Sequence, residues 1–557
     1  MKMKKDLSVK ILSTLAAAIF LLSSCSPAVT DETTTSSEPQ ATSETTTTTA
    51  TTSETTTEES TAITSVTYDE DVLLADYNKY CFFDYDHLIP CADDDENAKL
   101  LKSVPNVVYV GTYGFYDDNE YMMLFTMPVD HDDLSKGNFI QHVHVIFEGA
   151  DAPNCFNVGG YDIGPIYEKD SRELNGVSRS FFSKEYKTNY FEPEYRLYGR
   201  SRPDGLGKDD DTYWSLLNCR QAAEDFHIMI DSLKHALSGN WCFEGLSKGG
   251  EAANYQAAVH PEDADMFLSE AGMVLLGNGD KDLYEYAYTT AGDLALGKKK
   301  AAKYRKDLTD FQIELLKNRE VLAPMLWEQT KHYSCKFTED MNQDILFDLI
   351  VLDQVYFWQT CFPWEKEMID KVMKLKDAKT DEEKAEYYKT VIDTLFELYS
   401  PWQYELYDDS EMHQEMGLYN YLFQSFHEDG HYGYDFSYLR KEIEKSGTDA
   451  KLYVTEDMED GLWDIRISKD HREKFPYDPS VLNARKDAIE NTEKPLFFVN
   501  GLSDIFNTHE VKESDNENVY IFNIPEAFHS NATPEFLSKE QKTEFDELVK
   551  KFMALKD

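Results

Sequence analysis

Three residues set the chemistry open to this chain. Ser247 lies in Gly245-Leu246-Ser247-Lys248-Gly249, the G-x-S-x-G pattern of a nucleophile elbow. There the glycines relieve crowding around a sharp strand-to-helix turn that lifts the serine Oγ clear of a sheet. A serine hydroxyl is a poor nucleophile at its own pKa, so it needs a histidine base and an acid that orients the histidine. Asp504 and His529 follow in the chain order Ser, Asp, His that α/β-hydrolases use. Asp504 comes directly after the apolar run 496–500 and His529 after the run 519–523, so both are expected in loops at the carboxyl ends of parallel strands. Taken alone, Asp504 would be a turn or N-cap residue and His529 an ordinary loop histidine. Their joint placement after the last two strands favours the triad. His509 is the runner-up base, but it follows Asp504 too soon to come from a separate strand end.

Acyl transfer also requires donors aimed at a tetrahedral oxyanion. The backbone N–H of Lys248, one residue past the nucleophile at a helix start, is the expected first donor. Tyr161 is the expected second, with Gly160 the near alternative, because Gly159-Gly160-Tyr161 lets backbone approach a substrate closely. The Lys248 side chain is expected to project away from the reacting atoms, as a surface or packing lysine. His142 and His144 point one way from a strand and could ligate a metal, but with no third ligand nearby they read as partly buried strand histidines. No metal and no cofactor are expected.

The elements needed to hold these residues are legible. Residues 240–244 are apolar and aromatic, as in a central strand, and 251–260 are Ala-rich without Pro or Gly, as in a helix. Strands are expected over 139–147, 154–158, 190–198 and 265–270, and one helix over 213–236, where apolar positions recur at helical spacing. Such alternation implies an α/β fold with a mostly parallel sheet and helices on both faces. From 279 to 446 Lys, Glu, Tyr and Leu dominate and long helical patterns such as 377–398 appear, which implies a large inserted helical cap. A closing helix is expected over 534–555. The domain would then run over 66–278 and resume over 447–557.

The leader is basic, then apolar through 11–22, and closes on Leu22-Ser23-Ser24-Cys25, which resembles a bacterial lipobox. Residues 1–25 are therefore expected to be a lipoprotein signal peptide with Cys25 the lipidated residue, and the chain an extracytoplasmic surface lipoprotein. An ordinary cleaved signal is the alternative. Residues 26–65, almost wholly Thr, Ser, Glu, Ala and Pro, read as a disordered tether. The formal net charge of −49 would repel phosphate backbones, so nucleic acid is not an expected partner. Beyond Cys25, cysteines 81, 91, 155, 219, 242, 335 and 361 show no C-x-x-C spacing and suggest no zinc framework.

Several segments together resemble the secreted bacterial tripeptidyl aminopeptidases, prolyl-aminopeptidase-like serine peptidases akin to prolyl carboxypeptidase. They are the run from Glu194 to Pro203, Trp214 with Gln221 to Asp225, Gly245 to Gly250 with His260 to Asp265, and Gly501 to Asp504 with His529. The resemblance implies an α/β-hydrolase that removes short peptides from free N-termini, often after proline, with Ser247, Asp504 and His529 matching the triad. This chain reads Asp504-Ile505-Phe506 where members often have Asp-Pro-Trp, which bears on the specificity pocket. An aminopeptidase must also neutralise a substrate ammonium, since a buried unpaired charge is costly. Glu270 is a candidate for that role, and a structural carboxylate otherwise. An esterase on the same triad, or a non-catalytic surface lipoprotein binding peptides or glycans, are the competing readings.

Overall fold

The computed structural model describes residues 69–78, 87–113, 117, 119–163, 179–207, 210–332, 337–398 and 418–555. The leader, the tether with Cys25, and cysteines 81 and 335 lie outside the described residues.

The strands, in chain order, are β1 (Ile89–Pro90), β2 (Val107–Thr112), β3 (Glu120–Pro128), β4 (Asn138–Ile146), β5 (Asn154–Asn157), β6 (Asn189–Pro193), β7 (Trp241–Leu246), β8 (Met266–Glu270), β9 (Asn278–Asp280), β10 (His431–Tyr432), β11 (Leu496–Gly501) and β12 (Val519–Ile524). Ten of them form one sheet in the order β1-β2-β3-β4-β6-β5-β7-β8-β11-β12. From β6 to β12 every pairing is parallel. The edge from β1 to β4 is antiparallel, and β4 pairs antiparallel with β6. This is an α/β-hydrolase sheet with an antiparallel extension. The strand order reverses at β5, which has β6 on one side and β7 on the other, so the β5 and β7 loops flank the switch point where open sheets hold ligands.

The parallel strands are covered on both faces, which is why β8 and β11 are buried along their whole length and carry near-continuous apolar runs. Helices α1 (Cys219–Lys234), α2 (Lys248–Val259), α3 (Leu418–Gln424), α4 (Ser480–Asn491) and α5 (Lys539–Phe552) matter for the site. Phe226, Ile230, Ala253 and Ala257 of α1 and α2 meet Phe156, Phe243 and Phe267 on one face. Phe545 and Val549 of α5 meet Cys242, Leu268 and Phe497 on the other.

Local capping explains where expected elements divide. The helix expected over 213–236 is two, because Leu217 leaves helical geometry and the Asn218 side chain accepts from the Gln221 amide to start α1. The closing helix is likewise a short turn, Pro534–Phe536, followed by α5, which Ser538 and Gln541 start with a capping box. The strand expected over 190–198 stops at Pro193: the Glu194 carboxylate then accepts the Arg200 and Ser201 amides (2.9 and 2.8 Å), closing a loop in which Leu197 has φ 66°.

The inserted helices include Lys298–Lys317, Arg319–His332, Gln343–Asp353 and Asp381–Leu398, built around their own apolar cluster. The insertion runs past the expected limit of 446, since Ala450, Val454 and Leu462 pack in that same cluster. Its root is closed by parallel pairing of β9 with β10. Ile505 and Phe528, neighbours of Asp504 and His529, also pack in the insertion's cluster, so the cap sits directly on the loops carrying those residues. Among the described residues no helix is long and apolar enough to cross a membrane.

Candidate active site

Ser247 joins β7 to α2 at φ 57° and ψ −119°, a backbone conformation that L-residues adopt only under tight constraint. The constraint is visible: the Ser247 amide donates to the Glu270 carbonyl (2.8 Å), and its own carbonyl accepts from the Glu251 amide (3.0 Å). A Cβ on Gly249 would overlap the Val158 carbonyl oxygen. Glycine there lets the first turn of α2 lie directly on the loop leaving β5.

Asp504 and His529 meet as expected from their order. His529 Nδ1 lies 2.6 Å from Asp504 Oδ2, and both side chains are buried. An ionised carboxylate only accepts, so Nδ1 carries the proton and Nε2 presents its lone pair. The other carboxylate oxygen accepts the Phe506 amide (3.1 Å) and caps the short helix Ile505–His509. The turn role and the orienting role thus coexist in one residue. The Phe506 ring stands edge-on to His529 (centroids 5.2 Å apart) and fixes its other side. Ser247 follows β7, Asp504 follows β11 and His529 follows β12, all at the carboxyl edge of the parallel strands.

The expected oxyanion donors lie on neighbouring loops, since β5 and β7 are paired with Asn157 opposite Glu244. Lys248 is the first residue of α2, where an amide has no acceptor one turn back in the helix. Tyr161 lies three residues past Val158, whose amide donates to the Glu244 carbonyl (2.8 Å).

The Lys248 side chain is not at the surface but buried, and it is a packing lysine of an unusual kind. Its Nζ donates to Gly160 O (2.8 Å), Gln424 Oε1 (2.7 Å) and Tyr198 OH (3.1 Å), which uses all three ammonium protons. The rings of Tyr195, Tyr198 and Tyr161 surround it at 4.3, 4.7 and 5.1 Å. Burial lowers its pKa to about 8, against the opposing pull of Asp429.

Gln424 belongs to α3, at the end of the insertion, and opens a second buried set. Arg485 of α4 pairs with Asp429 (2.6 Å) and Glu251 (3.3 Å), Asp429 accepts from Cys219 Sγ (3.2 Å), and Glu428 accepts the Cys219 amide (2.7 Å). Glu428 and Asp429 sit in a π-helical turn, Ser425–Asp429. Burial pushes the carboxyls of Glu251 and Glu428 up, each to about 8, while Asp429 stays low beside Arg485 despite its own burial. Sequence reasoning missed Gln424, Glu428, Asp429 and Arg485. The available signal was an acidic, amide-bearing turn, 424–429, inside a run otherwise read as plain helix.

Other expected residues fall elsewhere. Glu270 shares a face with Leu246 and Leu268, turned away from α2, and burial together with the nearby Glu244 carboxylate holds its pKa well above the usual range. His509 bonds Asp280 (2.8 Å) and Tyr432 OH (3.1 Å), not Asp504. His144 lies 2.8 Å from Glu120 and His142 3.2 Å from Ser201 Oγ, both buried in the sheet. Among the described residues, the groups that could converge on a cation, His227 with His260 and Glu262, and Asp280 with Asp282 and His509, include neither strand histidine.

Partly buried aromatic residues line the seam between core and cap. Tyr161 meets Tyr421 (5.8 Å), Tyr356 meets Phe506 (5.8 Å), and Trp463 touches both apolar clusters.

The family model described as PS-10 peptidase S37 matches residues 93–407, which include Ser247 and end before Asp504 and His529. The chain is 26% identical over 268 residues to a protein named prolyl tri/tetrapeptidyl aminopeptidase from Streptomyces mobaraensis, a match covering 48% of this chain and 50% of that protein. It thus spans about half the length of that curated relative. Among solved structures, a proline iminopeptidase of Mycobacterium smegmatis aligns at TM-score 0.31 and 12% identity, covering 77% of this chain and 97% of that one. A haloalkane dehalogenase loop variant from Bradyrhizobium elkanii aligns at TM-score 0.29 and 10% identity, covering 78% and 98%.

Proposed function

Because the chain belongs to the PS-10 peptidase S37 family, we propose that it is a serine peptidase that releases di- or tripeptides from free N-termini through an acyl-enzyme, with proline accepted before the cleaved bond. The observation that carries this reading is the buried 2.6 Å pair of His529 and Asp504 on the same sheet edge as the strained Ser247. In this mechanism Ser247 Oγ attacks the scissile carbonyl while His529 Nε2 takes its proton. Asp504 keeps Nδ1–H in place and stabilises the imidazolium. The amides of Lys248 and Tyr161 receive the oxyanion, His529 returns the proton to the leaving amine, and water then reverses the sequence to free the short peptide.

The name of the Streptomyces mobaraensis relative supports prolyl specificity and N-terminal release. The aromatic seam of Tyr161, Tyr421 and Phe506 offers flat apolar walls suited to a pyrrolidine ring. Glu270 is our candidate partner for the substrate ammonium. Burial and the nearby Glu244 carboxylate hold its pKa well above the usual carboxylate range, and an arriving cation would favour its ionised form.

The test is turnover of di-, tri- and tetrapeptide nitroanilides ending in Pro or Ala, free and N-acetylated, beside short acyl esters. We expect turnover of the free peptides, loss on acetylation, and a drop of about 10⁶-fold in Ser247→Ala. In Glu270→Gln, KM should rise for free peptides. Ester turnover without peptide turnover would make the protein an acyl hydrolase. A folded wild type that turns over neither, and is inert to a fluorophosphonate, would make it a binding lipoprotein.

A further inference from the structure

One buried cation remains unused by the proposed reaction, and it touches the loop that supplies an oxyanion donor. Lys248 Nζ donates 2.8 Å to the carbonyl of Gly160, and the Gly160 carbonyl and the Tyr161 N–H are opposite ends of one trans peptide unit. Fixing the carbonyl fixes the direction of the N–H. The approach is tight on both sides. Gly160 has φ +84°, and a Cβ there would sit 3.0 Å from Lys248 Cγ, so only glycine fits at both counts.

We propose that the Lys248 side chain is a positioning residue that clamps the Gly160–Tyr161 peptide with its N–H aimed at the oxyanion, while Gln424 ties that clamp to α3, whose Tyr419, Leu422 and Phe423 pack in the sheet core. This rests on the serine-peptidase reading above. Lys248 then serves twice, its backbone amide as one donor and its side chain as the holder of the other. Its three protons are spent on Gly160, Gln424 and Tyr198, so the ammonium has no donor left for substrate. Neutralisation near its lowered pKa would still leave two N–H donors.

The link to Gln424 gives the clamp a second function. Gln424 Nε2 also reaches Glu428 Oε1 (3.4 Å) and Tyr195 OH (3.3 Å), so the oxyanion loop, the start of α2 and the end of α3 with its π-helical turn share one polar knot. A displaced α3 removes one of three acceptors from Nζ and loosens the oxyanion loop, so the donor would be set only when α3 is docked on the core.

The experiment compares wild type, Lys248→Met, which keeps the stem and removes the donors, and Gln424→Leu. Two readouts are taken: hydrogen–deuterium exchange over 158–163 against the neighbouring strand 241–246, and kcat and KM on a free tripeptide nitroanilide. The expected result for Lys248→Met is faster exchange confined to 158–163 and kcat lower by about 100-fold, with KM within about threefold. For Gln424→Leu we expect the same pattern at about five- to tenfold in kcat. Unchanged loop exchange, or kcat within about threefold of wild type, in a folded Lys248→Met overturns the clamp. Should Lys248→Met not fold, Gln424→Leu decides by the same two criteria. If wild type turns over no peptide, the peptidase reading fails and the exchange readout alone decides whether Lys248 holds the loop.

Discussion

Two buried polar constellations of this protein are built in opposite ways. The Asp504–His529 pair is sparse: Asp504 spends one oxygen on the ring and one on a capping amide, and of the ring only Nδ1 is engaged by the carboxylate. The set around Lys248, Gln424, Asp429 and Arg485 is dense, and its cations are enclosed by acceptors and aromatic rings. A group that must move a proton needs an open lone pair. A group that must hold backbone in place is best served by having every donor engaged. The difference separates the side chains proposed to react from those proposed to position.

The largest effect that could break this distinction is on the sparse side. Asp504→Asn should lower kcat by about 10⁴-fold by misorienting His529, while shifting stability by less than about 1.5 kcal/mol, as read by nitroanilide turnover and a urea titration on the same protein. On the dense side the order reverses. Arg485→Met leaves Asp429 and Glu251 buried without their cation and should destabilise the fold by about 3–5 kcal/mol. If that variant unfolds at the wild-type urea midpoint, the dense set holds nothing together, and the contrast disappears.

The smallest effect is the part of the pH dependence that the dense set carries. Glu251 has its pKa raised from 4.5 to about 8 by burial, so between those values the folded protein keeps a proton that the unfolded chain has lost. Stability from this group is therefore full below about 4.5 and falls as pH rises towards 8, by up to about 1.4 kcal/mol per unit. Glu428 acts with the same sign. Lys248, lowered from 10.5 to about 8, acts oppositely, and its contribution rises only above pH 8. Melting temperature measured from pH 5 to 8 should decline in wild type and decline less steeply in Glu251→Gln. Equal slopes in the two proteins would remove Glu251 from the account.

Much of the site was legible because each of its parts is local. A glycine-flanked serine after an apolar run, and an Asp and a His directly after the last two such runs, are readable from chain order once the sheet is taken as parallel. The antiparallel edge from β1 to β4 was less legible, since only 139–147 had an uninterrupted strand pattern. Breaks set by a single side chain, such as Asn218 within the expected helix 213–236, were hidden by apolar spacing that continues through them.

The sequence by itself determined the parallel core and the presence of a helical insertion, and singled out Ser247, Asp504 and His529 as the proposed triad, because local spacing and short motifs encode these. Only the tertiary structure decided what surrounds Lys248. Gly160, Tyr198 and Gln424 converge on one ammonium from three distant stretches of chain, and Arg485 meets Asp429 and Glu251 from a further one. A lysine beside a serine looks the same in sequence whether it faces water or a cage. Its burial and its partners are fixed only when α3 and the loops after β5 and β6 pack around it and exclude water from every donor it carries.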